Sequence, residues 1–205
     1  MRSFIFILSV FASLPAFAGE KSILVLGDSL STAYGIPLEQ GWVSLLEERL
    51  RTEGYTFSVH NASITGETTA GAKVRIRQLL DEYNPEILII ELGGNDGLRG
   101  LQIAETRANL DEIIQHGRSH GSSILLIPIT LPVNYGPRFN EKFTEMYRQL
   151  SNEHGITPGK FILEGIGDNP ELMQSDGIHP TAEAQPCMLE NVWKDLEPLL
   201  TRADN

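Results

Sequence analysis

The chain has 205 residues, of which 41% are hydrophobic and 21% charged. This composition fits one globular domain and excludes a disordered or low-complexity chain. With 16 Lys and Arg against 27 Asp and Glu, the net charge is −11, which disfavours binding to nucleic acid. The single cysteine, Cys187, cannot close an internal disulfide, and no Cys/His cluster has the spacing of a structural zinc site.

Residues 1–18 have the pattern of a secretory signal peptide. Arg2 supplies the positive start, residues 4–14 are almost wholly apolar, and residues 16–18 form a small-x-small cleavage site. The alternative is a buried N-terminal strand or helix. The apolar run is too short to span a bilayer comfortably, so we expect a protein exported to a periplasm, or secreted, without stable membrane insertion. A single domain, 19–205, follows.

Strand and helix patterns alternate along this domain. Short apolar runs predict buried parallel strands, and apolar residues at helical spacing predict amphipathic helices between them. The predicted strands are 22–26, 56–60, 86–92 and 123–129, with a short fifth one at 161–162. Helical spacing marks residues 42–50, 72–83, 103–117, 139–150 and 189–200.

This repeating order predicts an α/β fold, a three-layer α/β/α sandwich with a four- to five-stranded, mainly parallel sheet. Ligands of such sheets bind outside the carboxyl ends of the strands. Chemistry is therefore expected where the first, second and third strands end.

A serine follows the first predicted strand, in the segment Gly27-Asp28-Ser29-Leu30-Ser31. On the opening turn of a helix, its hydroxyl would lie near free backbone N–H groups and a partial positive charge. That environment suits a serine that becomes an anionic tetrahedral adduct. The alternative is that Asp28 or Ser29 merely caps a helix.

Near the C-terminus, residues 176–180 read Asp-Gly-Ile-His-Pro. On a tight loop, the carboxylate of Asp176 can accept a hydrogen bond from Nδ1–H of His179 and orient the ring, as in a serine triad. Pro180 restricts His179 to extended backbone angles. The alternative is an ordinary surface histidine at the start of a helix.

His116 and His120 are four residues apart, a spacing that suits a metal pair on a helix. Gly117 and Gly121 lie among them, where the predicted helix is ending. We therefore expect both histidines to be exposed to solvent rather than to bind a metal.

Glycine-rich turns follow the second and third predicted strands. Gly93 and Gly94 let the backbone turn sharply and approach a ligand, and Asn95 brings a side-chain amide donor. Gly66, after the second strand, could present a bare backbone N–H. Taken singly, each segment is also what an ordinary turn contains.

Together and in this order, the segments resemble the four blocks of the SGNH/GDSL hydrolase superfamily. The resemblance implies a flavodoxin-like fold and a serine hydrolase that cleaves carboxylic esters through an acyl-serine intermediate. It implies that Ser29 is the nucleophile, His179 the general base and Asp176 the residue that orients it. It also implies that the oxyanion is bound by the backbone N–H groups of Ser29 and Gly66 and by the amide of Asn95.

The resemblance further implies small-molecule substrates, namely acyl and aryl esters, lysophospholipids and thioesters, with no cofactor, no metal and a monomeric enzyme. It gives Asp28 a structural role in the nucleophile turn. It places an acyl groove beside residues 94–101, a candidate lid, and residues 129–135. Apolar side chains that could line this groove, or simply pack the core, are Leu98, Leu101, Leu131 and Val133.

Two other functions are compatible with parts of this pattern. A carbohydrate acetylesterase of the same fold would use the same residues and differ only in substrate. A non-catalytic, flavodoxin-like module could bind an acyl or phosphate group at residues 27–35, but it would have no use for Asp176 and His179.

Overall fold

A computed structural model of the protein describes residues 21–156 and 159–203, with side chains described up to residue 200. The predicted signal peptide, 1–18, lies outside the described residues. The described residues form four strands and six α-helices, in the order β1 (Lys21–Gly27), α1 (Trp42–Glu53), β2 (Phe57–Asn61), α2 (Thr69–Tyr83), β3 (Ile87–Glu91), α3 (Gly94–Leu98), α4 (Ile103–His120), β4 (Ser123–Leu126), α5 (Pro137–His154) and α6 (Gln185–Ala203).

The strands form one parallel sheet in the order β2-β1-β3-β4. Strand β1 is buried on both sides, because its side chains alternate between two hydrophobic cores. Helices α1 and α6 cover one face, and α2, α4 and α5 cover the other. The predicted three-layer α/β fold is therefore confirmed. Within the described residues, no helix is long and apolar enough to cross a membrane.

The predicted fifth strand at 161–162 is wrong, since the sheet of the described residues has four strands. Ile162 is fully buried, but the backbone around it folds into turns, with hydrogen bonds from Glu164 N to Phe161 O and from Ile166 N to Leu163 O. The apolar signal at this position comes from a turn that faces the core.

Helix α4 does not end at Gly117 but continues to His120. A Cβ at position 117 would lie 2.7 Å from a side-chain atom of Ile124 and 2.8 Å from one of Leu88, so this glycine allows the helix to approach the sheet closely. His116 and His120 consequently lie on a packed helix and are half-buried. The prediction that they are exposed to solvent therefore holds only in part.

Candidate active site

Ser29 lies in a tight turn directly after β1. The backbone N–H groups of Ser31 and Thr32 both donate to the carbonyl of Asp28, at 3.2 and 3.1 Å. The left-handed backbone of Ala33, with φ of 57°, ends this single helical turn. The prediction of a helix opening at Ser29 is therefore wrong, because α1 begins only at Trp42.

The loop formed by residues 174–180 brings an imidazole to this turn. Nε2 of His179 lies 2.9 Å from Oγ of Ser29, and Nδ1 lies 2.7 Å from Oδ2 of Asp176. The other carboxylate oxygen of Asp176 accepts the backbone N–H groups of Ile178 and His179, at 2.9 and 3.0 Å. Three groups far apart in the sequence thus form one continuous hydrogen-bonded chain from carboxylate to hydroxyl.

The carboxylate of Asp176 is held in its ionised form. Hydrogen bonds from the side chain and backbone of His179 lower the pKa of Asp176 to about 2. A charged acceptor on Nδ1 fixes the ring tautomer that leaves Nε2 free to take a proton from the serine.

An aromatic side chain that the sequence analysis did not identify covers one side of the imidazole. The ring of Tyr34 lies 4.3 Å from the ring of His179, measured between centroids, and Tyr34 is 47% exposed. No motif marks this tyrosine, because its proximity to His179 depends on the meeting of two distant loops.

Asn95, in the short helix α3, is tied to the nucleophile turn. Its Nδ2 donates to Oδ2 of Asp28 at 3.0 Å, and Gly94 packs closely against the same carboxylate oxygen. An amide nitrogen carries two hydrogens, so this bond leaves one N–H of Asn95 for another acceptor.

Gly66 lies in the loop after β2, where its φ of 76° is in the left-handed region that favours glycine. Its carbonyl accepts a hydrogen bond from Nη2 of Arg99 at 3.0 Å. The same loop is joined to the nucleophile strand by the bond from Ile64 N to Gly27 O, at 3.2 Å. The structure thus brings the Gly66 loop beside both α3 and the turn that carries Ser29.

Two buried carboxyl groups lie beneath the nucleophile turn. Asp28 accepts the backbone N–H of Leu30 at 3.1 Å, and Oε2 of Glu91 accepts Ser31 Oγ at 2.8 Å and Asp28 N at 3.3 Å. Burial raises the pKa of Asp28 to about 6. Burial, and then the neighbouring charge of Asp28, raise the pKa of Glu91 well above its usual range. Glu91 therefore supports the turn from beneath through these two hydrogen bonds, a role that the sequence analysis missed.

Asp96, the residue after Asn95, is buried and bonds to α2. Its carboxylate accepts the backbone N–H of Thr69 at 2.9 Å and the hydroxyl of the same residue at 2.5 Å. Asp96 thereby joins α3 to the first turn of α2 and serves the fold.

The region expected to form an acyl groove is only partly a loop. Residues Gly94–Leu98 form α3, and Leu131 packs over Gly97 with 4% of its surface exposed, so the expectation of a loop is wrong for residues 94–98. The hydroxyl of Tyr135 donates to the carbonyl of Leu98 at 2.8 Å and joins the two segments. Leu98 is half-buried and Leu131 buried, whereas Leu101 and Val133 are exposed.

No group of three or more His, Cys, Asp or Glu side chains within the described residues is arranged to hold a metal ion. What the site does offer is a hydroxyl, an imidazole and a carboxylate in series, beside a glycine loop and a side-chain amide. These groups are the ones that nucleophilic acyl transfer requires.

Comparison with known proteins also indicates an acyl hydrolase. Residues 25–185 match the model of the GDSL-like lipase/acylhydrolase family. Esterase TesA of Pseudomonas aeruginosa is 48% identical over 183 residues, which cover 89% of this chain and 91% of that protein. Thioesterase 1/protease 1/lysophospholipase L1 of Escherichia coli K12 is 39% identical over 183 residues, covering 89% and 86% of the two chains.

A solved structure extends the likeness to three dimensions. It is that of the psychrotrophic esterase EstA from Pseudoalteromonas sp., in a form inhibited by monoethylphosphonate. The two folds superimpose with a TM-score of 0.85 at 37% identity, covering 88% of this chain and 99% of EstA.

Proposed function

The chain belongs to the GDSL-like lipase/acylhydrolase family and is a serine ester hydrolase of the SGNH type, and on this premise we propose that Ser29, His179 and Asp176 are its catalytic triad. The observation that carries the proposal is the 2.9 Å contact between Nε2 of His179 and Oγ of Ser29. Oγ needs a base within hydrogen-bond reach to become a nucleophile at neutral pH.

The proposed reaction has two half-reactions. Oγ of Ser29 attacks the ester carbonyl carbon, and its proton passes to Nε2 of His179. The C–O bond to the alcohol then breaks, and the alcohol leaves with that proton, so that an acyl-serine remains. A water molecule, deprotonated by the same imidazole, attacks the acyl group, and the proton returns to Oγ as the carboxylic acid departs.

The oxyanion of each tetrahedral intermediate is proposed to be bound by the backbone N–H groups of Ser29 and Gly66 and by Nδ2 of Asn95. Support comes from the donors that the fold leaves unused. Among the described residues, no acceptor receives the N–H of Ser29 or of Gly66, and Asn95 spends only one of its two N–H groups on Asp28. Donors already in place at a developing negative charge lower the barrier without reorganisation.

We propose acyl and aryl esters of short to medium chain length, together with lysophospholipids, as the substrate class, with thioesters also cleaved. The relatives support this range, since they are named as an esterase, an arylesterase and a thioesterase/lysophospholipase. The exposed apolar side chains Leu101 and Val133 would extend the acyl site along the surface where α3 packs against residues 129–135.

The proposal extends to an exported, monomeric enzyme. The signal pattern of residues 1–18 argues against cytosolic acyl-CoA as the everyday substrate. All proposed catalytic groups come from one chain, so the site is complete without a second copy. N-terminal sequencing of the exported protein should begin at Gly19, and size-exclusion chromatography should give a mass close to that of one chain.

The catalytic assignment is tested by hydrolysis of 4-nitrophenyl acetate. Ser29→Ala should lose nearly all activity, because the alanine has no nucleophile. Ser44→Ala is the matched control, since the Ser44 hydroxyl only bonds the Leu38 carbonyl on the surface, and it should behave like the parent. Parent-like turnover by Ser29→Ala would overturn the assignment.

A further inference from the structure

A single side-chain amide bridges the two loops that carry Ser29 and His179. Nε2 of Gln174 donates to the carbonyl of Tyr34 at 2.8 Å and to the carbonyl of Pro180 at 2.9 Å. Tyr34 belongs to the turn that follows the serine, and Pro180 comes directly after the histidine. The amide therefore spans a junction between segments 140 residues apart in the sequence.

On the histidine side, Gln174 also closes the loop through its backbone. Its N–H donates to the carbonyl of His179 at 2.7 Å, and its carbonyl accepts the N–H of Gly177 at 2.9 Å. An isolated antiparallel bridge between Met173 and Pro180 continues this pairing. The position of the His179 backbone is thus set directly by Gln174.

On the serine side, the link runs through Tyr34. Its N–H donates to the carbonyl of Ser29 at 3.4 Å, while its own carbonyl accepts the Gln174 amide. Gly35 makes room for the amide, because a Cβ at this position would overlap Oε1 of Gln174, and its φ of 76° also favours glycine.

The Asp176–His179 contact and the His179–Ser29 contact are stabilised by different parts of the structure. Asp176 and His179 lie three residues apart within one loop and are held by that loop's own hydrogen bonds. Ser29 and His179 lie on different loops, and among the described residues these loops share the His179–Ser29 bond and the Gln174–Tyr34 bond. An acylated Ser29 has no hydroxyl proton to donate to His179, whereas the Gln174–Tyr34 bond does not involve the Ser29 hydroxyl.

We propose that Gln174 is a positioning residue that sets the distance between the nucleophile and its base through both half-reactions. The inference rests on the proposed roles of Ser29 and His179. Because small displacements of a catalytic group are costly to the chemical step, losing the amide lowers kcat, whereas substrate binding depends on other surfaces and KM stays close to the parent value.

The test uses Gln174→Met, which keeps the length of the side chain and removes the donor. With 4-nitrophenyl acetate, we expect kcat to fall by about tenfold to a hundredfold, with KM unchanged to within about a factor of two. The rate at which diethyl 4-nitrophenyl phosphate phosphorylates Ser29 should fall in parallel, because that reaction also needs His179 as base.

Asn191→Leu is the matched control. Nδ2 of Asn191 likewise donates to two backbone carbonyls, those of Ile162 and Glu164, both at 3.0 Å, but it lies on α6 and contacts neither loop. A merely structural amide would lower the melting temperature in both variants, whereas only Gln174→Met should lower kcat.

A folded Gln174→Met with parent-like kcat and phosphorylation rate would overturn the inference. If that variant does not fold, Gln174→Asn takes its place, because it keeps an amide that is too short to span both carbonyls. A parent-like kcat and phosphorylation rate in Gln174→Asn would likewise overturn the inference. Ser29→Ala is measured alongside. An inactive Ser29→Ala with a fully active Gln174→Met refutes only the positioning role, whereas a fully active Ser29→Ala refutes the proposed function itself.

Discussion

The side-chain amide of Asn95 donates a hydrogen bond to Oδ2 of Asp28 at 3.0 Å. The proposed oxyanion donor is therefore held by the carboxyl group that immediately precedes the proposed nucleophile. Asp28 in turn accepts the N–H of Leu30, so the turn and the amide are fixed to each other by one buried acid. This arrangement supports the structural role that we propose for Asp28.

Replacing Asn95 with Ala should lower kcat by about 10²–10³-fold, because one donor to the oxyanion is lost in a step where it is used most. KM for 4-nitrophenyl acetate should change little. Asn191→Ala removes an amide far from the site and should leave kcat intact. An Asn95→Ala enzyme with unchanged kcat would exclude this residue from the oxyanion site.

The buried Asp28 should leave a signature in the pH dependence of stability. Its pKa is raised from 3.8 to about 6 by burial, so the folded state binds the proton more tightly than the unfolded state does. The resulting contribution to the free energy of unfolding is fully present below pH 3.8 and is lost as the pH rises through about 6.

We therefore expect the parent to lose about 2–3 kcal/mol relative to Asp28→Asn between about pH 4 and pH 7.5, because the asparagine cannot ionise. Urea unfolding at the two pH values measures this difference. Asp168→Asn, at an exposed site, should follow the parent at both. If the difference in unfolding free energy between the parent and Asp28→Asn does not vary with pH, burial does not raise the pKa of Asp28.

Asp176→Asn should lower kcat by about 10³–10⁴-fold, since an amide in this position can stabilise the wrong tautomer of His179. The backbone bonds from Ile178 and His179 to the side-chain oxygen can persist in this variant, so the loop should keep its shape. Circular dichroism and steady-state kinetics test both statements. Retention of more than about a tenth of the parent kcat would argue against an orienting role.

Tyr135→Phe should change the preference for acyl chain length. The variant loses the bond from the Tyr135 hydroxyl to the carbonyl of Leu98, which joins α3 to residues 129–135 on either side of the proposed acyl site. One hydrogen bond is worth about 1 kcal/mol, so the ratio of kcat/KM for 4-nitrophenyl octanoate and acetate should shift by about fivefold. An unchanged ratio would place the acyl chain elsewhere.

The strands were predictable because parallel strands buried on both faces are nearly continuous apolar runs. The same signal failed at Ile162, whose side chain enters the core from a turn. Gly117 was misread as a helix end, because sequence alone does not separate a glycine that stops a helix from one that lets a helix approach a sheet. Only its neighbours Leu88 and Ile124 make that distinction.

The motifs led to Ser29, His179 and Asp176, because each of these residues lies in a short segment of sequence that resembles a family motif. They did not lead to Glu91, Tyr34 or Gln174. The sequence does carry a signal for Glu91, because it is a charged residue at the end of an otherwise apolar strand. Gln174 left none, since its function depends on a junction between loops that only the folded chain creates.

Covalent labelling tests the central claim most directly. Diethyl 4-nitrophenyl phosphate should release one 4-nitrophenolate per chain and leave a diethylphosphoryl group on Oγ of Ser29, located by mass spectrometry of the digested protein. His179→Ala, which lacks the base, should be labelled far more slowly. Inhibition with the group on another residue, or equal labelling of Ser29→Ala, would contradict the account.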